Sequence, residues 1–202
     1  MEKRIRYTIA IPAYKPDFFK EALESCLAST EPDFEIVVLD DCSPYDLKSI
    51  VELMNDSRIR YYRNDANVGA VNVVDNWNRC LEMARGKYFI CMGDDDKLTK
   101  DALSIYSDII GRHPDLGVYH GQAVLIDESS NVVKTLTARP EWESATAFAW
   151  NRWNVRKFQY VGDFCYDTAQ LKDAGGFVKF PLAWGSDDVT AVMMASGKGI
   201  AN

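Results

Sequence analysis

Hydrophobic and polar positions along the first 112 residues alternate between two kinds of segment. Short, nearly continuous apolar runs of strand length lie at 5–11, 34–39, 58–62 and 88–92. Between these runs, apolar residues recur every three or four positions, the spacing that puts them on one face of a helix. The predicted helices begin near Pro16, Pro44, Val68 and Thr99, and the third is expected to end with Gly86 as its capping glycine. Alternating strands and helices predict an α/β fold with a doubly wound, mostly parallel sheet.

The second half of the chain has a weaker pattern. Strands are predicted at 116–125, with 131–134 as its partner, and at 161–166, and helices at 168–174 and 187–196. The stretch 136–160 is rich in Trp, Arg and Phe and shows no clear period. The chain stops at 199–202 without an obvious finishing element, which fits a truncated domain as well as a natural end. We expect one domain over 1–202, with a regular half at 1–112 and an irregular half at 113–202.

Composition narrows the class of protein. Of the 202 residues, 47% are hydrophobic and 26% are charged, which is typical of a globular domain with a sizeable core. The formal net charge of −7 argues against a general nucleic-acid binder, which would carry a basic face. No apolar run reaches the length of about 18 residues that would predict a membrane span. The five cysteines are scattered without a CxxC pair, which indicates reduced thiols and a cytoplasmic location.

Acidic side chains follow two of the four predicted strands in the regular half. Asp40 and Asp41 come after the second strand, and Asp94, Asp95 and Asp96 come after the fourth. Ligands of an open parallel sheet bind outside the carboxyl ends of its strands. Three adjacent carboxylates repel one another, so a bound divalent cation is one reason to keep them, and a solvated turn is the alternative.

Six motifs, in order along the chain, give a family resemblance. They are Ile11-Pro-Ala-Tyr-Lys15, Val38-Leu-Asp-Asp-Cys-Ser43, Asn67-Val-Gly-Ala-Val-Asn72, Gly86-Lys-Tyr-Phe-Ile-Cys-Met-Gly-Asp-Asp-Asp96, Leu171-Lys-Asp-Ala-Gly-Gly-Phe177 and Trp184-Gly-Ser-Asp-Asp188. Together they resemble the family 2 glycosyltransferases, which have the Rossmann-like, nucleotide-binding GT-A fold. The fourth motif is similar to the family segment that contains the DXD motif, although Gly93 stands where the first acid is usual. The resemblance implies a nucleotide-sugar-binding half at 1–112 and an acceptor-side half at 113–202.

The resemblance also implies roles for individual residues. Contacts to the nucleotide are expected from Pro12, Tyr14, Asp40, Asp41, Asn67, Gly69 and Asp94. Asp95 matches the metal-binding acid, with Asp94 and Asp96 as further ligands of Mn²⁺ or Mg²⁺, hard cations that prefer oxygen. For Asp41, capping of the helix after Pro44 is the alternative interpretation.

The catalytic base is expected at Asp187 or Asp188, where the family keeps an acid that removes the proton of the acceptor hydroxyl. Aligning the following helix favours Asp187, and aligning the two acids directly favours Asp188. Both acids would also favour the start of a helix for dipole reasons alone. Aromatic and basic side chains of the irregular half are weaker candidates for sugar and diphosphate contacts: Trp142, Trp150, Trp153, Tyr160, Arg152, Arg156 and Lys157.

The implied function is a metal-dependent, inverting transfer of a sugar from a nucleotide-sugar, with UDP as the expected nucleotide. The acceptor would be a hydroxyl of a saccharide or glycolipid in polysaccharide or glycoconjugate synthesis. We expect the protein in the cytoplasm or at the inner face of the membrane, without a nucleic-acid partner. A non-catalytic nucleotide-sugar-binding module is one alternative. A sugar nucleotidyltransferase is another, although the loop after the first strand lacks the glycines expected for it.

Overall fold

The structure, a computed structural model, describes residues 5–154 and 157–202. Its strands are β1 (Tyr7–Ala13), β2 (Phe34–Asp40), β3 (Ile59–Arg63), β4 (Tyr88–Cys91), β5 (Val118–His120), β6 (Val124–Ile126), β7 (Val132–Thr135), β8 (Trp142–Glu143), β9 (Phe164–Asp167) and β10 (Ile200–Ala201). Its α-helices are α1 (Phe19–Leu27), α2 (Leu47–Met54), α3 (Val73–Met83), α4 (Ala102–Arg112), α5 (Ala145–Trp153), α6 (Thr168–Asp173) and α7 (Ser186–Met194). Three short 3-10 turns lie at Ala70–Asn72, Val161–Asp163 and Pro181–Ala183.

Eight strands form one sheet in the order β3-β2-β1-β4-β9-β5-β10-β8. Strands β1 to β4 pair with one another in parallel, and β9 runs antiparallel to both β4 and β5. The predicted doubly wound, mostly parallel sheet is therefore confirmed. The strand order reverses between β1 and β4, and the crevice at such a switch point is where open α/β sheets bind ligands.

Helices cover both faces of this sheet, because β1 and β2 are apolar on both sides. Ile9 and Ile11 of β1 point to the face covered by α1, α2 and α4. Ala10 of the same strand points to the face covered by α3, α5, α6 and α7. Continuous burial explains why these strands are unbroken apolar runs rather than alternating ones. No helix in the described part of the chain is long and apolar enough to cross a membrane.

Several predicted boundaries in the regular half are wrong, each for a local reason. Pro12 lies inside β1 instead of ending it, opposite Leu39 of β2. The strand tolerates this proline because its pairing with β4 has already ended at Ala10. Gly86 is not a capping glycine of α3. A Cβ at this position would lie 2.5 Å from the backbone nitrogen of Thr8, so glycine allows the chain to approach β1. Helix α4 begins at Ala102, beyond the predicted cap at Thr99.

The irregular half contains elements that the sequence pattern did not predict. The strand expected at 116–125 is two strands, β5 in the main sheet and β6 in a separate hairpin with β7. The stretch 136–160 contains strand β8 and helix α5. Residues Ile200–Ala201 form β10, which pairs with β5 and β8.

Candidate functional site

The loops that follow β1 and β4 are joined at the switch point of the sheet. Oδ2 of Asp94 accepts hydrogen bonds from the backbone nitrogens of Tyr14, at 2.7 Å, and Lys15, at 2.8 Å. The side chain of Tyr14 remains 42% exposed, and Pro12 is partly buried. Asp94 therefore fixes the backbone of the loop after β1. Two residues predicted to contact the nucleotide, Asp94 and Tyr14, are thus linked to each other.

Asp40 is fully buried at the end of β2 and has internal partners for both carboxylate oxygens. Oδ1 accepts a hydrogen bond from the backbone nitrogen of Ser43 at 2.7 Å. Oδ2 accepts one from the hydroxyl of Tyr61 at 2.5 Å and another from Arg63. Desolvation and the bond to Asp40 raise the pKa of Tyr61 to about 12. The predicted contact of Asp40 with a nucleotide stays a prediction, and its geometry favours a role in shaping the loop.

Asp41 organises the loop after β3. Its Oδ1 accepts hydrogen bonds from Nδ2 of Asn64, at 2.8 Å, and from the backbone nitrogen of Val68, at 3.0 Å. Its Oδ2 accepts one from Nδ2 of Asn67 at 3.0 Å. Gly69 follows with a φ of 74°, a left-handed conformation that favours glycine. The second and third motifs are thus held together through Asp41, rather than through a helix cap.

The acidic loop after β4 has three carboxylates in different surroundings. Asp95 is exposed and receives no hydrogen bond from a described side chain or backbone group. Oδ2 of Asp96 accepts a hydrogen bond from the backbone nitrogen of Gly93 at 3.1 Å. Desolvation and the negative charges of Asp95 and Asp94 raise the pKa of Asp96. The loop therefore concentrates negative charge that a cation would relieve.

Gly93, which stands where the family motif usually has its first acid, leaves room for the carboxylates of Asp95 and Asp96. A Cβ at this position would lie 2.9 Å from Oδ1 of Asp95 and 2.9 Å from Oδ2 of Asp96. Any side chain here would push both carboxylates aside. The glycine therefore lets the two following acids fold back over the backbone of the loop.

The two acids at the start of α7 have different environments. Asp188 is 4% exposed, and its Oδ1 accepts hydrogen bonds from Nε of Arg152, at 2.8 Å, and Nε2 of Gln159, at 2.7 Å. Asp187 is only partly buried and has no side-chain partner among the described residues. Burial and the charge of Asp188 raise the pKa of Asp187. The carboxylate of Asp188 is therefore engaged by two side chains, whereas that of Asp187 is not.

Asp163 is a buried acid that the sequence analysis did not single out. It lies in the 3-10 turn before β9, is 9% exposed, and accepts a hydrogen bond at Oδ2 from the backbone nitrogen of Tyr160 at 2.9 Å. Burial, together with the charges of Asp96 and Asp187, raises the pKa of Asp163 to about 7. The available signal was a single acid within the strand predicted at 161–166.

Some of the remaining candidates of the irregular half form hydrogen bonds within the protein, and others are exposed. Trp142 donates a hydrogen bond from Nε1 to the carbonyl of Lys198 at 3.1 Å, and Nζ of Lys157 donates one to the carbonyl of Ala138 at 3.2 Å. Arg156 lies outside the described residues. Four aromatic side chains are largely exposed: Trp150, Trp153, Tyr160 and Trp184, the last at 82%. They leave apolar surface on the side of the sheet that carries α5 and α7.

Comparison with known proteins gives a family match over most of the chain and a relative that matches part of it. A sequence profile described as glycosyl transferase family 2 matches residues 8–167. Over 87 residues, 42% of this chain, the sequence is 36% identical to the putative colanic acid biosynthesis glycosyl transferase WcaA of Escherichia coli (strain K12). That segment is 30% of WcaA.

Two solved structures have the same fold. S. aureus TarS 1–349 in complex with UDP-GlcNAc matches with a TM-score of 0.76 and 20% identity, over 98% of this chain and 55% of TarS. Mannosyltransferase PcManGT from Pyrobaculum calidifontis, in complex with GDP-Man and Mn²⁺, matches with a TM-score of 0.67 and 18% identity. That match covers 96% of this chain and 52% of PcManGT, so the chain spans about half of each solved structure. Since the family profile covers β1 to β9, including the loops that carry Asp40, Asp41 and Asp94 to Asp96, this chain belongs to glycosyl transferase family 2.

Proposed function

We propose that this protein transfers a sugar from a nucleotide-sugar to a hydroxyl acceptor, with inversion at the anomeric carbon. One observation carries the proposal: the glycosyl transferase family 2 profile covers the loops at the carboxyl ends of β1, β2 and β4, where Asp94 joins the loop after β4 to that after β1. The charges of Asp96 and Asp187 both raise the pKa of Asp163, so the acidic loop and the partly buried acid of α7 both lie near Asp163. Sugar transfer needs the leaving diphosphate and the base that activates the acceptor to be close to each other.

The nucleotide is proposed to bind over the loops that follow β1, β2 and β3, in the half of the chain at 1–112. Pro12 and the exposed Tyr14 would line the base pocket, and Asp94 holds their loop in place. Asp41 holds the loop that contains Asn67, through a hydrogen bond of 3.0 Å. UDP is the proposed nucleotide, which the complex of S. aureus TarS with UDP-GlcNAc supports. In this proposal Asp40 and Gly69 shape the pocket through the loop backbone.

The acidic loop fits a divalent cation. The exposed carboxylates of Asp95 and Asp96 are hard oxygen donors, and Asp94 of the same loop is held by the backbone of the loop after β1. No group of three metal-ligating side chains is found among residues 5–154 and 157–202. Mn²⁺ and Mg²⁺ commonly use one or two carboxylates together with substrate phosphates, so the nucleotide would complete the site. When bound, the cation supplies charge neutralisation at the leaving diphosphate. The complex of PcManGT with GDP-Man and Mn²⁺ supports this cofactor class.

Asp187 is proposed as the general base. Its carboxylate takes the proton of the acceptor hydroxyl while the acceptor oxygen forms a bond to the anomeric carbon. The bond from that carbon to the diphosphate oxygen breaks on the opposite face, and its electron pair leaves with the nucleoside diphosphate. Burial and the charge of Asp188 raise the pKa of Asp187, which makes it a better base for a hydroxyl proton. Asp188 positions the start of α7 through Arg152 and Gln159.

The acceptor is proposed to bind against the half of the chain at 113–202. Trp184 stands exposed three residues before Asp187, and flat aromatic faces are suited to contacts with sugar rings. A saccharide or glycolipid in polysaccharide or glycoconjugate synthesis is the proposed acceptor class. The name of the E. coli relative, which refers to colanic acid biosynthesis, supports this setting. We place the activity in the cytoplasm, with peripheral association at the inner face of the membrane.

A binding experiment tests the donor site. UDP, UDP-glucose, UDP-GlcNAc and GDP-mannose are titrated into the protein by calorimetry, with Mn²⁺, with Mg²⁺ and with EDTA. We expect one nucleotide-sugar to bind in a metal-dependent manner and Asp95→Ala to remove that dependence. Asp108→Asn, which removes the same charge from the exposed surface of α4, is the matched control and should bind as the wild type does. Absence of binding by every nucleotide would contradict the proposal.

A turnover experiment separates the enzyme from its alternatives. Release of nucleoside diphosphate from the bound nucleotide-sugar is followed with and without saccharide acceptors. We expect turnover that is lost in Asp187→Asn while nucleotide binding is kept. A binding module would bind without turnover in any variant. A sugar nucleotidyltransferase would instead make a nucleotide-sugar from a nucleoside triphosphate and a sugar phosphate, so pyrophosphate release under those conditions would identify it.

A further inference from the structure

Gln159 belongs to a network of buried polar side chains that ends at Asp188. Its Nε2 donates a hydrogen bond to Oδ1 of Asp188 at 2.7 Å, and its Oε1 accepts one from Nη2 of Arg139 at 2.6 Å. Arg139 in turn donates from Nη1 to Oε2 of Glu143 at 3.2 Å. Gln159 is 4% exposed, and the side chains of Arg139 and Glu143 are 1% and 2% exposed. The network therefore runs through the protein interior, from strand β8 to helix α7.

The groups at its two ends leave the amide of Gln159 only one orientation. A guanidinium group carries donors and no acceptor, so the atom of Gln159 that faces Arg139 must be the amide oxygen. An ionised carboxylate accepts and does not donate, so the group that faces Asp188 must be the NH₂ group. Turning the amide over would place donor against donor at Arg139 and acceptor against acceptor at Asp188. Arg139 therefore decides that Gln159 presents a donor to Asp188.

Arg139 is itself held from several sides. Its guanidinium group lies over the ring of Phe148, 4.0 Å from the centroid, and Nη2 also donates to the carbonyl of Lys157 at 3.4 Å. The other carboxylate oxygen of Glu143 accepts a hydrogen bond from Nδ2 of Asn151. Phe148 and Asn151 lie on α5, and Glu143 lies in β8, which pairs with β10. Helix α5 and strand β8 thus give the guanidinium group a fixed position.

The buried ion pair of Arg139 and Glu143 is a poor means of gaining stability. Moving two charges out of water carries a large desolvation penalty, and well-packed apolar side chains of similar volume are often as stabilising or more so. The pair is therefore better explained by the side chains that it orients. Through Gln159 it orients Asp188 in the first turn of α7, and the same turn carries Asp187.

We propose that Gln159 is a positioning residue for sugar transfer. With its amide oriented by Arg139, it holds Asp188 in place, and Asp188 fixes the turn of α7 that carries the general base. This inference rests on the proposed function, because Asp187 is the base only in that proposal. A displacement of about 1 Å at a reacting group can cost roughly a hundredfold in rate. Loss of Gln159 should therefore lower turnover and leave the nucleotide-sugar site in the half at 1–112 intact.

Two substitutions separate the contact of Gln159 with Asp188 from its contact with Arg139. Gln159→Leu removes both hydrogen bonds at similar volume. Gln159→Glu keeps an acceptor for Arg139 and has no donor for Asp188. Gln170→Leu is the matched control, because it makes the same chemical change at a half-buried glutamine of α6 whose Nε2 donates to the carbonyl of Leu116 at 3.4 Å. Thermal unfolding establishes that each variant is folded, and Gln159→Glu decides the outcome if Gln159→Leu is not.

The test measures release of nucleoside diphosphate from UDP-glucose, UDP-GlcNAc and GDP-mannose with Mn²⁺, with water and with octyl glucoside as acceptors. For the nucleotide-sugar that the wild type turns over fastest, we expect both Gln159 variants to lower kcat at least tenfold and to change KM less than twofold. Gln170→Leu should change neither constant more than twofold.

Three results would overturn the inference: a wild-type kcat in Gln159→Glu, a loss of kcat in Gln170→Leu as large as in the Gln159 variants, or a rise in KM as large as the loss in kcat. In each of these cases the wild type still turns over, so the proposed function stands. If the wild type releases nucleoside diphosphate from none of the three nucleotide-sugars, the proposed function fails, and the inference falls with it.

Discussion

Arg152 donates a hydrogen bond from Nε to Oδ1 of Asp188 at 2.8 Å, and this contact joins α5 to α7. It holds Asp188 inside the protein and leaves the adjacent Asp187 without a side-chain partner among the described residues. Two neighbouring acids that look equivalent in the sequence therefore have separable effects. One is expected to govern stability, and the other is expected to govern turnover.

Asp188→Ala should lower the free energy of unfolding by about 2 kcal/mol. Removing one partner of a fully buried ion pair costs roughly 3–5 kcal/mol, and the effect is smaller here because Arg152 is 24% exposed. Asp187→Asn should leave the stability unchanged or raise it slightly, because burial disfavours its charge. Urea unfolding at pH 7.5 measures both variants. Equal destabilisation by the two substitutions would contradict the separation of roles.

Substitutions of Asp94 and Asp95 should differ in whether their effect on UDP affinity requires a metal ion. Asp94→Ala frees the backbone nitrogens of Tyr14 and Lys15, so the first loop loses its anchor. We expect this variant to bind UDP several-fold more weakly both with Mn²⁺ and with EDTA. Asp95→Ala, which breaks no described hydrogen bond, should weaken binding only with Mn²⁺. Calorimetry in the two buffers distinguishes the variants. If Asp94→Ala weakened UDP binding only in the buffer with Mn²⁺, Asp94 would act as a metal ligand and not as the anchor of the first loop.

The sequence predicts the fold well where burial of a segment imposes a regular pattern of apolar residues. Strands β1 and β2 were predicted because both faces of the sheet are covered, which leaves unbroken apolar runs. The acids after β2 and β4 were found because strand ends in a parallel sheet meet at one edge. Helix α5 was missed because Trp150 and Trp153 are exposed on its surface, so its apolar residues do not form one buried stripe.

Long-range partners could not be predicted from local pattern. Nothing near Asp188 in the sequence indicates that Arg152 and Gln159 will surround it. Asp163 falls within the strand predicted at 161–166, and nothing in that segment indicates that Asp96 and Asp187, which are far away along the chain, will lie near it. The roles of these side chains depend on contacts that only the folded chain creates, whereas the fold class depends on periodicity that each segment carries by itself.

Gly93→Ala should reduce metal affinity with little effect on stability. The added methyl group would meet the carboxylates of Asp95 and Asp96 at 2.9 Å, and these flexible side chains can move away. The displaced oxygens no longer share the position that suits a cation, so we expect the Mn²⁺ concentration for half-maximal UDP binding to rise several-fold. The midpoint of thermal unfolding should change by no more than about 2 °C, which corresponds to less than about 1 kcal/mol for a domain of this size. A large loss of stability would show instead that the loop backbone is disturbed.

Asp163→Asn should stabilise the protein at neutral and alkaline pH. Burial and nearby negative charge raise the pKa of Asp163 from an ordinary 3.8 to about 7, so the folded state holds this proton more tightly than the unfolded state does. As the pH rises from 4 to 7, the unfolded chain gives up the proton first, and the stability falls. The variant lacks that penalty, which amounts to at most about 4 kcal/mol above pH 7. Metal-free urea unfolding at pH 4 and pH 8 should show the advantage of the variant only at pH 8.

His120 should produce a pH dependence of the opposite sign. Its imidazole packs between the rings of Phe148 and Phe164, with centroid distances of 6.0 and 5.3 Å. Burial, together with the nearby charge of Arg139, lowers the pKa of His120 to about 3, whereas an exposed histidine titrates near 6.5. The ring therefore stays neutral in the folded state while the unfolded state takes up a proton as the pH falls through 6.5.

His120→Phe keeps an aromatic ring between the same neighbours and removes this titration. The stability of the wild type relative to the variant should fall by up to about 1.4 kcal/mol for each pH unit between 6.5 and 4. The comparison uses the difference between the two proteins at each pH, because Asp163 acts in the opposite direction over the same range and is present in both. Urea unfolding at pH 7.5 and pH 4.5 measures that difference. A difference that is the same at both pH values would mean that His120 is charged in the folded state at pH 4.5, with polar groups around it accepting hydrogen bonds from the charged ring.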